Sequence, residues 1–149
     1  MKDAVIFSGK SEVSPLKFEL NFKDIDEFSD SSILSHPPEK EYYENILTAV
    51  LENIDNEIQG RNPYKLVQSP KTTRRFVFTQ DSCISFVHTM VRNSTINMFV
   101  VCRSSDVVNT FPYDIKFLIY LCSCVKKRLR MDLPCRINFT LNSAHVVPV

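Results

Sequence analysis

Glycine is scarce in this sequence, which has only Gly9 and Gly60 among its 149 residues. The P-loop and the dinucleotide-binding turn both need closely spaced glycines, because their backbone must approach a phosphate closely. No such cluster is present, and the sequence therefore excludes both of these common phosphate-binding loops.

Cysteine is present as an odd set of five residues, and no two of them have the Cys-x-x-Cys spacing. A disulfide framework would favour an even set, and a structural zinc site would favour close pairs. We therefore expect neither disulfides nor a bound metal, but free thiols in an intracellular, cytoplasmic protein.

Long apolar runs and an excess of charge of either sign are also missing. No run approaches the length needed to span a membrane, and Met1-Lys2-Asp3 does not lead into a signal peptide. A formal net charge of +1 gives no electrostatic reason to expect nucleic acid or a membrane surface as a partner. With 44% hydrophobic residues, the chain is expected to form one domain over residues 1–149.

Several segments alternate in polarity or are rich in β-branched and aromatic residues, which is typical of strands. The predicted strands cover residues 4–8, 16–22, 72–79, 83–91, 96–102 and 136–141. Four residues, Arg92 to Thr95, separate the fourth of these strands from the fifth, which indicates a β-hairpin. Residues 29–38 and 62–70 contain prolines and polar residues and are predicted to be connections.

Two helices are predicted. Across residues 39–58, apolar side chains recur at three- and four-residue steps between charges, and Gly60 supplies a stop signal. From Ile115 to about Met131 the pattern is apolar nearly all round, which is typical of a helix buried in a domain or between subunits. Its basic end complements the negative helix terminus, so we interpret that end as solvated. Strands and helices interleave, which predicts a mixed α and β (α/β, α+β) fold.

A polar stretch from Arg103 to Asp114 lies between the apolar run 96–102 and the second helix. It contains one arginine, two serines and two aspartates. Charged groups between a buried strand and a buried helix are costly to desolvate unless they are paired or bind something. Two explanations remain open: the arginine and the aspartates satisfy one another, or the stretch forms a binding site.

The order of motifs resembles that of the thymidylate synthase superfamily. Cys83 lies twenty residues before Arg103-Ser104-x-Asp106, which is followed by Pro112-Tyr113-Asp114 and by His145, and residues 69–75 carry a pair of arginines upstream. Members of this superfamily have a paired-arginine segment, a nucleophilic cysteine, an Arg-Ser-x-Asp motif, an Asn or Asp eight residues later and a downstream His. Within it, the sequence is most similar to phage-type deoxycytidylate (dCMP) hydroxymethylases, from about residue 40 to 147.

This resemblance implies a compact thymidylate synthase-like fold, with a mixed sheet packed on a buried central helix, and one-carbon transfer to C5 of a pyrimidine nucleotide. Cys83 would add to C6 as a thiolate, and Arg103 would stabilise the thiolate and grip the phosphate together with Ser104. Arg74 and Arg75 would reach the phosphate across a homodimer interface. Without the resemblance, Cys83 is interpreted as a buried structural thiol, and Arg74 and Arg75 as exposed cations at a strand end.

Asp114 bears on the choice of substrate, and Asp106 belongs to the substrate-binding motif by resemblance. An ionised aspartate only accepts hydrogen bonds, so Asp114 fits the amino group of cytosine and opposes the carbonyl of uracil. The expected substrate is therefore dCMP rather than dUMP. The alternative is that Asp114 caps the helix that follows it, because aspartate is favoured at the N-cap.

The remaining site residues are likewise implied by the resemblance. His145 would contact the sugar hydroxyl or order water, and Asp24, in an acidic cluster that also fits a solvated face, would help to move protons. The one-carbon donor would be methylenetetrahydrofolate, and the closest branch is encoded by phages or viruses.

The sequence also departs from the family pattern. Ser82 and Ile84 flank the cysteine where a proline and a histidine are usual, Val147 replaces a tyrosine, and we do not find the segment that closes over folate after Val149. A second hypothesis is therefore a catalytically inactive, dimeric module for nucleotide binding or protein interaction. A third is a plain α/β scaffold whose motif matches are accidental.

Overall fold

The computed structural model describes residues 5–7, 10–13, 16–23, 30–35, 40–58, 76–103, 105–106 and 110–146, with only the backbone given for 5–7, 10–13, 35 and 145–146. Two α-helices lie in this part, α1 (Lys40–Ile58) and α2 (Phe111–Leu129), together with a short 3-10 helix, Ser31–Ser35. None of the described helices is long and apolar enough to cross a membrane.

The larger sheet has five strands in the order β3, β8, β6, β5, β4. These are β3 (Leu16–Phe22), β4 (Val77–Thr79), β5 (Ile84–Arg92), β6 (Thr95–Cys102) and β8 (Cys135–Leu141). The β6–β8 pair is parallel and the other pairs are antiparallel, so the sheet is mixed. Asn93 and Ser94 both have positive φ angles, 52° and 55°, which is the backbone of a type I′ hairpin turn between β5 and β6.

A smaller sheet has four strands in the order β1, β2, β9, β7. They are β1 (Val5–Phe7), β2 (Lys10–Val13), β7 (Ser105–Asp106) and β9 (Ala144–Val146). Within it, β7 runs parallel to β9 and aligns Asp106 with His145. The polar stretch that follows β6 thus begins as an edge strand of a second sheet.

Helix α2 forms the centre of the core. Six of its apolar side chains have no solvent exposure: Phe117, Leu118, Leu121, Cys122, Val125 and Leu129. Alternate residues of β5, β6 and β8 are buried with it in one hydrophobic cluster, because successive side chains of a strand point to opposite faces of the sheet. The prediction of a mixed sheet packed on a buried central helix is confirmed.

The predicted elements agree with the structure except at their ends and in the shortest segments. β3 has the predicted bounds, α1, β6 and β8 differ from the prediction by one residue at one end, and β5 differs by one residue at each end. Helix α2 begins at Phe111 rather than Ile115, because Pro112 fits the first helical turn, where the missing N–H has no intrahelical partner to lose. Strands β2, β7 and β9 and the 3-10 helix were not predicted, since two to five residues are too few to show a period.

Candidate active site

The β5–β6 hairpin brings Cys83 and Arg103 together. Ile84 pairs with Cys102 at the open end of the hairpin, so the residues just outside this pair face each other. The Arg103 N–H donates a hydrogen bond of 2.7 Å to the Cys83 carbonyl oxygen. The spacing of twenty residues between them is therefore the length of one hairpin, and the backbones of the cysteine and the arginine lie side by side.

Cys83 differs from the other cysteines in its exposure. Its side chain is exposed, whereas Cys102, Cys122 and Cys135 are buried and Cys124 is partly buried, and none of the five forms a disulfide. The interpretation of Cys83 as a buried structural thiol is wrong. An exposed thiol at the end of a buried strand is accessible to a substrate.

A tyrosine of α1 holds the backbone on both sides of Cys83. The Tyr42 hydroxyl accepts a hydrogen bond of 2.9 Å from the Ile84 N–H and lies 3.1 Å from the Ser82 hydroxyl oxygen. Ser82 donates to the Ile84 carbonyl oxygen at 3.3 Å, so its single proton is used and the Tyr42 proton points to Ser82. The three groups form a closed ring of hydrogen bonds around the residue that carries the thiol.

The segment before Cys83 is also anchored. The Gln80 side chain donates to the Ile84 carbonyl oxygen at 2.9 Å, and the Gln80 N–H donates to the Ser85 carbonyl oxygen at 3.0 Å. Hydrogen bonds from its own residues, from α1 and from the end of β6 thus fix the segment between β4 and β5. The Cys83 side chain is presented from a well-anchored backbone.

The Arg103 guanidinium forms an ion pair with Asp81, at 2.5 Å between Nη1 and Oδ1. Both side chains are exposed, Arg103 to 59% and Asp81 to 95%. The suggestion that Arg103 is satisfied by the aspartates of its own polar stretch is wrong, because its partner lies two residues before Cys83. Arg103 therefore presents its charge at the surface beside the cysteine.

Asp114 is buried in the first turn of α2, with 7% of its surface exposed. The Tyr43 hydroxyl donates a hydrogen bond of 2.7 Å to its Oδ1, and the Tyr43 ring stacks on Phe117 at 4.5 Å between centroids. The N-cap residue of the helix is Thr110. The prediction of Asp114 as the N-cap is wrong, and its burial one turn into the helix calls for another explanation.

The two neighbouring strands of the smaller sheet place Asp106 next to the backbone of His145. Asp106 is 9% exposed, and its carbonyl oxygen accepts hydrogen bonds of 3.2 Å from both the N–H and the hydroxyl of Thr110. These bonds connect β7 to the start of α2. The polar stretch is therefore folded against the helix that carries Asp114.

The electrostatics of the site link the cysteine, the aspartate and Tyr42. Burial raises the pKa of the Cys102 thiol to about 12, and the negative charges of Asp114 and Cys83 add to the shift. Burial also raises the pKa of Tyr42, against its hydrogen bonds to Ser82 and Ile84, and the charges of Asp114 and Cys83 raise it further. The Tyr42 hydroxyl is therefore neutral, and the charges of both Asp114 and Cys83 affect its pKa.

Four predicted site residues, Asp24, Arg74, Arg75 and Ser104, lie outside the described residues. For His145 the backbone alone is described. Within the described part of the chain, no group of three or more His, Cys, Asp or Glu side chains is arranged to hold a metal ion. The described site consists of Cys83, Arg103, Asp106 and Asp114.

Sequence reasoning missed Tyr42, Tyr43 and Asp81. The two tyrosines contact residues 42 and 71 positions away in the chain, so no local pattern reveals them. The signal available for Tyr43 was its place on the apolar stripe of α1, where a tyrosine carries a polar tip that needs a partner when buried. For Asp81, its position two residues before a candidate nucleophile was the available signal.

The solved structures with a similar architecture include two thymidylate synthases. The enzyme from T4 phage superposes with a TM-score of 0.57 at 16% identity over 91% of this chain and 67% of that one. The enzyme from Bacillus subtilis superposes with a TM-score of 0.59 at 10% identity over 92% of this chain and 66% of that one.

No protein-family model and no curated sequence matches this chain. At such low identity the structural similarity shows the fold, and the chain spans about two thirds of the length of these enzymes. The prediction of a thymidylate synthase-like fold is confirmed. The protein is thus a compact α/β protein with the thymidylate synthase fold.

Proposed function

We propose that this protein transfers a one-carbon unit to C5 of a pyrimidine nucleotide, with Cys83 as the nucleophile. The observation that carries this proposal is an exposed thiol, presented from an anchored backbone beside an exposed arginine, on this fold. An arginine close to a cysteine favours the thiolate, which is the nucleophilic form.

The chemistry follows from the weak nucleophilicity of C5. The Cys83 thiolate adds to C6, and the electron pair of the C5–C6 double bond makes C5 enamine-like, so that C5 can attack a one-carbon electrophile. Loss of the C5 proton expels the amine of the donor and leaves an exocyclic methylene at C5. Water then adds to this carbon, the C5–C6 double bond re-forms, and the thiolate leaves C6. Tyr42 and Gln80 hold the backbone of Cys83 and fix the position from which the sulfur approaches C6.

We assign the phosphate to Arg103 and Ser104, with Asp106 and His145 on the sugar and base side. A guanidinium makes paired hydrogen bonds to phosphate, and Arg103 is 59% exposed beside the cysteine. The parallel β7–β9 pair puts the backbones of Asp106 and His145 side by side, which supports a shared role.

Asp114 is proposed to select cytosine, which makes dCMP the favoured substrate and a hydroxymethylase the favoured activity. The Tyr43 hydroxyl donates to one oxygen of this buried carboxylate, and a carboxylate offers about four lone-pair sites in all. It can therefore also accept a hydrogen bond from the cytosine amino group. The O4 carbonyl of uracil would meet a second acceptor there and would be rejected.

The one-carbon donor is proposed to be methylenetetrahydrofolate, a second substrate that supplies the carbon. Asp24 would position water for hydration of the transferred group. We propose no described residue for binding the donor. The exposed thiol of Cys83 suits a reducing compartment such as the cytoplasm, where it stays reduced.

A homodimer is proposed to complete the site, with Arg74 and Arg75 reaching the partner's phosphate. The face of the larger sheet that points away from the helices carries an apolar patch: Phe86, Met90, Phe99 and Val101, with His88 among them. These side chains are partly buried around a groove of about 400 Å³, and His88 Nε2 is buried with no hydrogen-bond partner. A second copy of the same face would cover them.

The transfer is tested by folate-dependent release of tritium from C5-labelled dCMP and dUMP. We expect release from dCMP and a loss of at least about 10³-fold in Cys83→Ser, because the hydroxyl is a far weaker nucleophile. Cys124→Ser is the matched control and should retain activity, since Cys124 lies in the second half of α2, outside the site. Nucleotide binding without release would instead favour the catalytically inactive dimeric module.

A further inference from the structure

The proposed function assigns Arg103 to the phosphate, and in the structure the guanidinium of Arg103 is paired with Asp81. Asp81 Oδ1 lies 2.5 Å from Arg103 Nη1, and the same arginine is joined through its backbone N–H to Cys83. A carboxylate and a phosphate bind the guanidinium fork in the same way, through paired oxygens. In the structure, therefore, the Asp81 carboxylate binds the Arg103 guanidinium where a phosphate oxygen would bind.

This ion pair is easy to displace. Asp81 is 95% exposed and Arg103 is 59% exposed, so water screens the attraction and little desolvation holds the pair together. A phosphate monoester carries up to two negative charges near neutral pH and offers three acceptor oxygens, whereas a carboxylate carries one charge and two oxygens. A bound nucleotide can thus replace Asp81 on Arg103, whereas a weakly charged ligand gains little by doing so.

We propose that Asp81 is an intramolecular competitor of the phosphate: it occupies Arg103 until a phosphate monoester displaces it. This inference rests on the proposed function, because it assigns the same arginine to the phosphate. Asp81 weakens the binding of phosphate ligands because it competes with them for Arg103, and it leaves nucleosides unaffected because they have no phosphate. Replacing it with a neutral isostere leaves Arg103 free, so phosphate ligands bind more tightly.

The test is an NMR titration of the full chain, wild type and Asp81→Asn, that follows the Arg103 Nε–H signal. The probes are inorganic phosphate, dCMP and deoxycytidine. We expect Asp81→Asn to lower the dissociation constants of phosphate and dCMP by about two- to fivefold, the range that an exposed ion pair supplies. The affinity for deoxycytidine should not change, because it has no phosphate to exchange with the carboxylate.

Asp55→Asn is the matched control, because Asp55 makes the same kind of exposed ion pair with Arg128 on another part of the surface. It should leave all three dissociation constants unchanged. Unchanged or weaker phosphate binding in Asp81→Asn would overturn the inference, and weaker binding would mean that Asp81 orients Arg103 for its ligand.

The outcomes also separate the inference from the proposed function. Tighter phosphate binding in Asp81→Asn, with no binding of dCMP to either form beyond that of phosphate, supports the role of Asp81 and contradicts a nucleotide site. Binding of dCMP to both forms with equal affinity supports the site and overturns the inference. No binding of phosphate or dCMP to either form contradicts both.

Discussion

Tyr42 and Tyr43 are neighbouring residues of one helix, and each of them contacts a different part of the site. Tyr42 bonds the backbone around Cys83, and Tyr43 bonds the Asp114 carboxylate. Adjacent residues on a helix point about 100° apart, so one turn of α1 reaches both the loop between β4 and β5 and the start of α2. The distance between the candidate nucleophile and the candidate base-selecting carboxylate is thereby set by a single turn of helix.

At this scale the sequence predicted the identity of the candidate groups but not their surroundings. Cys83, Arg103 and Asp114 were found because they belong to an ordered set of motifs. The partners Asp81, Tyr42 and Tyr43 come from tertiary packing, and nothing in the local sequence announces a hydrogen bond that spans 71 residues.

A prediction at the residue scale concerns Cys102, whose pKa is raised from its ordinary value of 9.0 to about 12, first by burial and then by Asp114 and Cys83. The folded protein keeps this proton at a pH where the unfolded chain has lost it. The stabilisation is therefore complete below pH 9 and is lost as the pH rises towards 12.

In urea unfolding at pH 8 to 10.5, we expect the free energy of unfolding of wild type to fall more steeply above pH 9 than that of Cys102→Ala. The difference in slope should reach about 1.4 kcal/mol per pH unit, the value for one proton. Identical slopes for the two proteins would show that Cys102 does not carry this proton difference.

At the scale of elements, the β5–β6 hairpin and helix α1 together build the cysteine side of the site. The hairpin was predicted from the strand pattern and the short turn, and its length explains why Cys83 and Arg103 are twenty residues apart. Strand β7 was not predicted, because two polar residues pair with β9 only once the smaller sheet has formed. Long periodic elements can be read from the sequence, whereas pairing between distant short segments cannot.

Tyr42→Phe tests whether α1 anchors the loop that carries Cys83. The change removes the acceptor of the Ile84 N–H and one partner of Ser82, and a hydrogen bond of this kind contributes about 0.5–1.5 kcal/mol. We expect faster amide hydrogen exchange at Ile84 and a loss of stability of about 1 kcal/mol.

Tyr120→Phe is the control for this experiment, since Tyr120 lies in the middle of α2 and its hydroxyl interacts with Cys124. It should leave the exchange of the Ile84 amide unchanged. Equal exchange at Ile84 in wild type and Tyr42→Phe would contradict the anchoring role.

For the whole molecule, the fold follows from the order of motifs together with the buried helix, and both were visible in the sequence. The elements interleave as predicted, and the structural similarity to two thymidylate synthases confirms the architecture. The assembly could not be derived in this way, because an alternating strand pattern shows which residues share a face and does not show what covers that face. The groove around Phe99 and His88 was found only in the structure.

Phe99→Asp tests the proposed homodimer. A charge in the apolar patch would be desolvated when two such faces meet, so we expect the variant to be a monomer in sedimentation at concentrations where wild type is a dimer. Thr48→Asp, which adds the same charge at an exposed position of α1, should remain a dimer. A wild-type monomer, or a Phe99→Asp dimer of unchanged affinity, would contradict this interface.

The central claim is that the described site binds a pyrimidine nucleotide and that Asp114 selects its base. Calorimetric titration of wild type and Asp114→Asn with dCMP and dUMP tests this claim most directly. We predict that wild type binds dCMP at least about tenfold more tightly than dUMP, the effect of one unpaired polar group, and that the asparagine variant shifts the preference towards dUMP. No binding of either nucleotide, or an unchanged preference in Asp114→Asn, would contradict it.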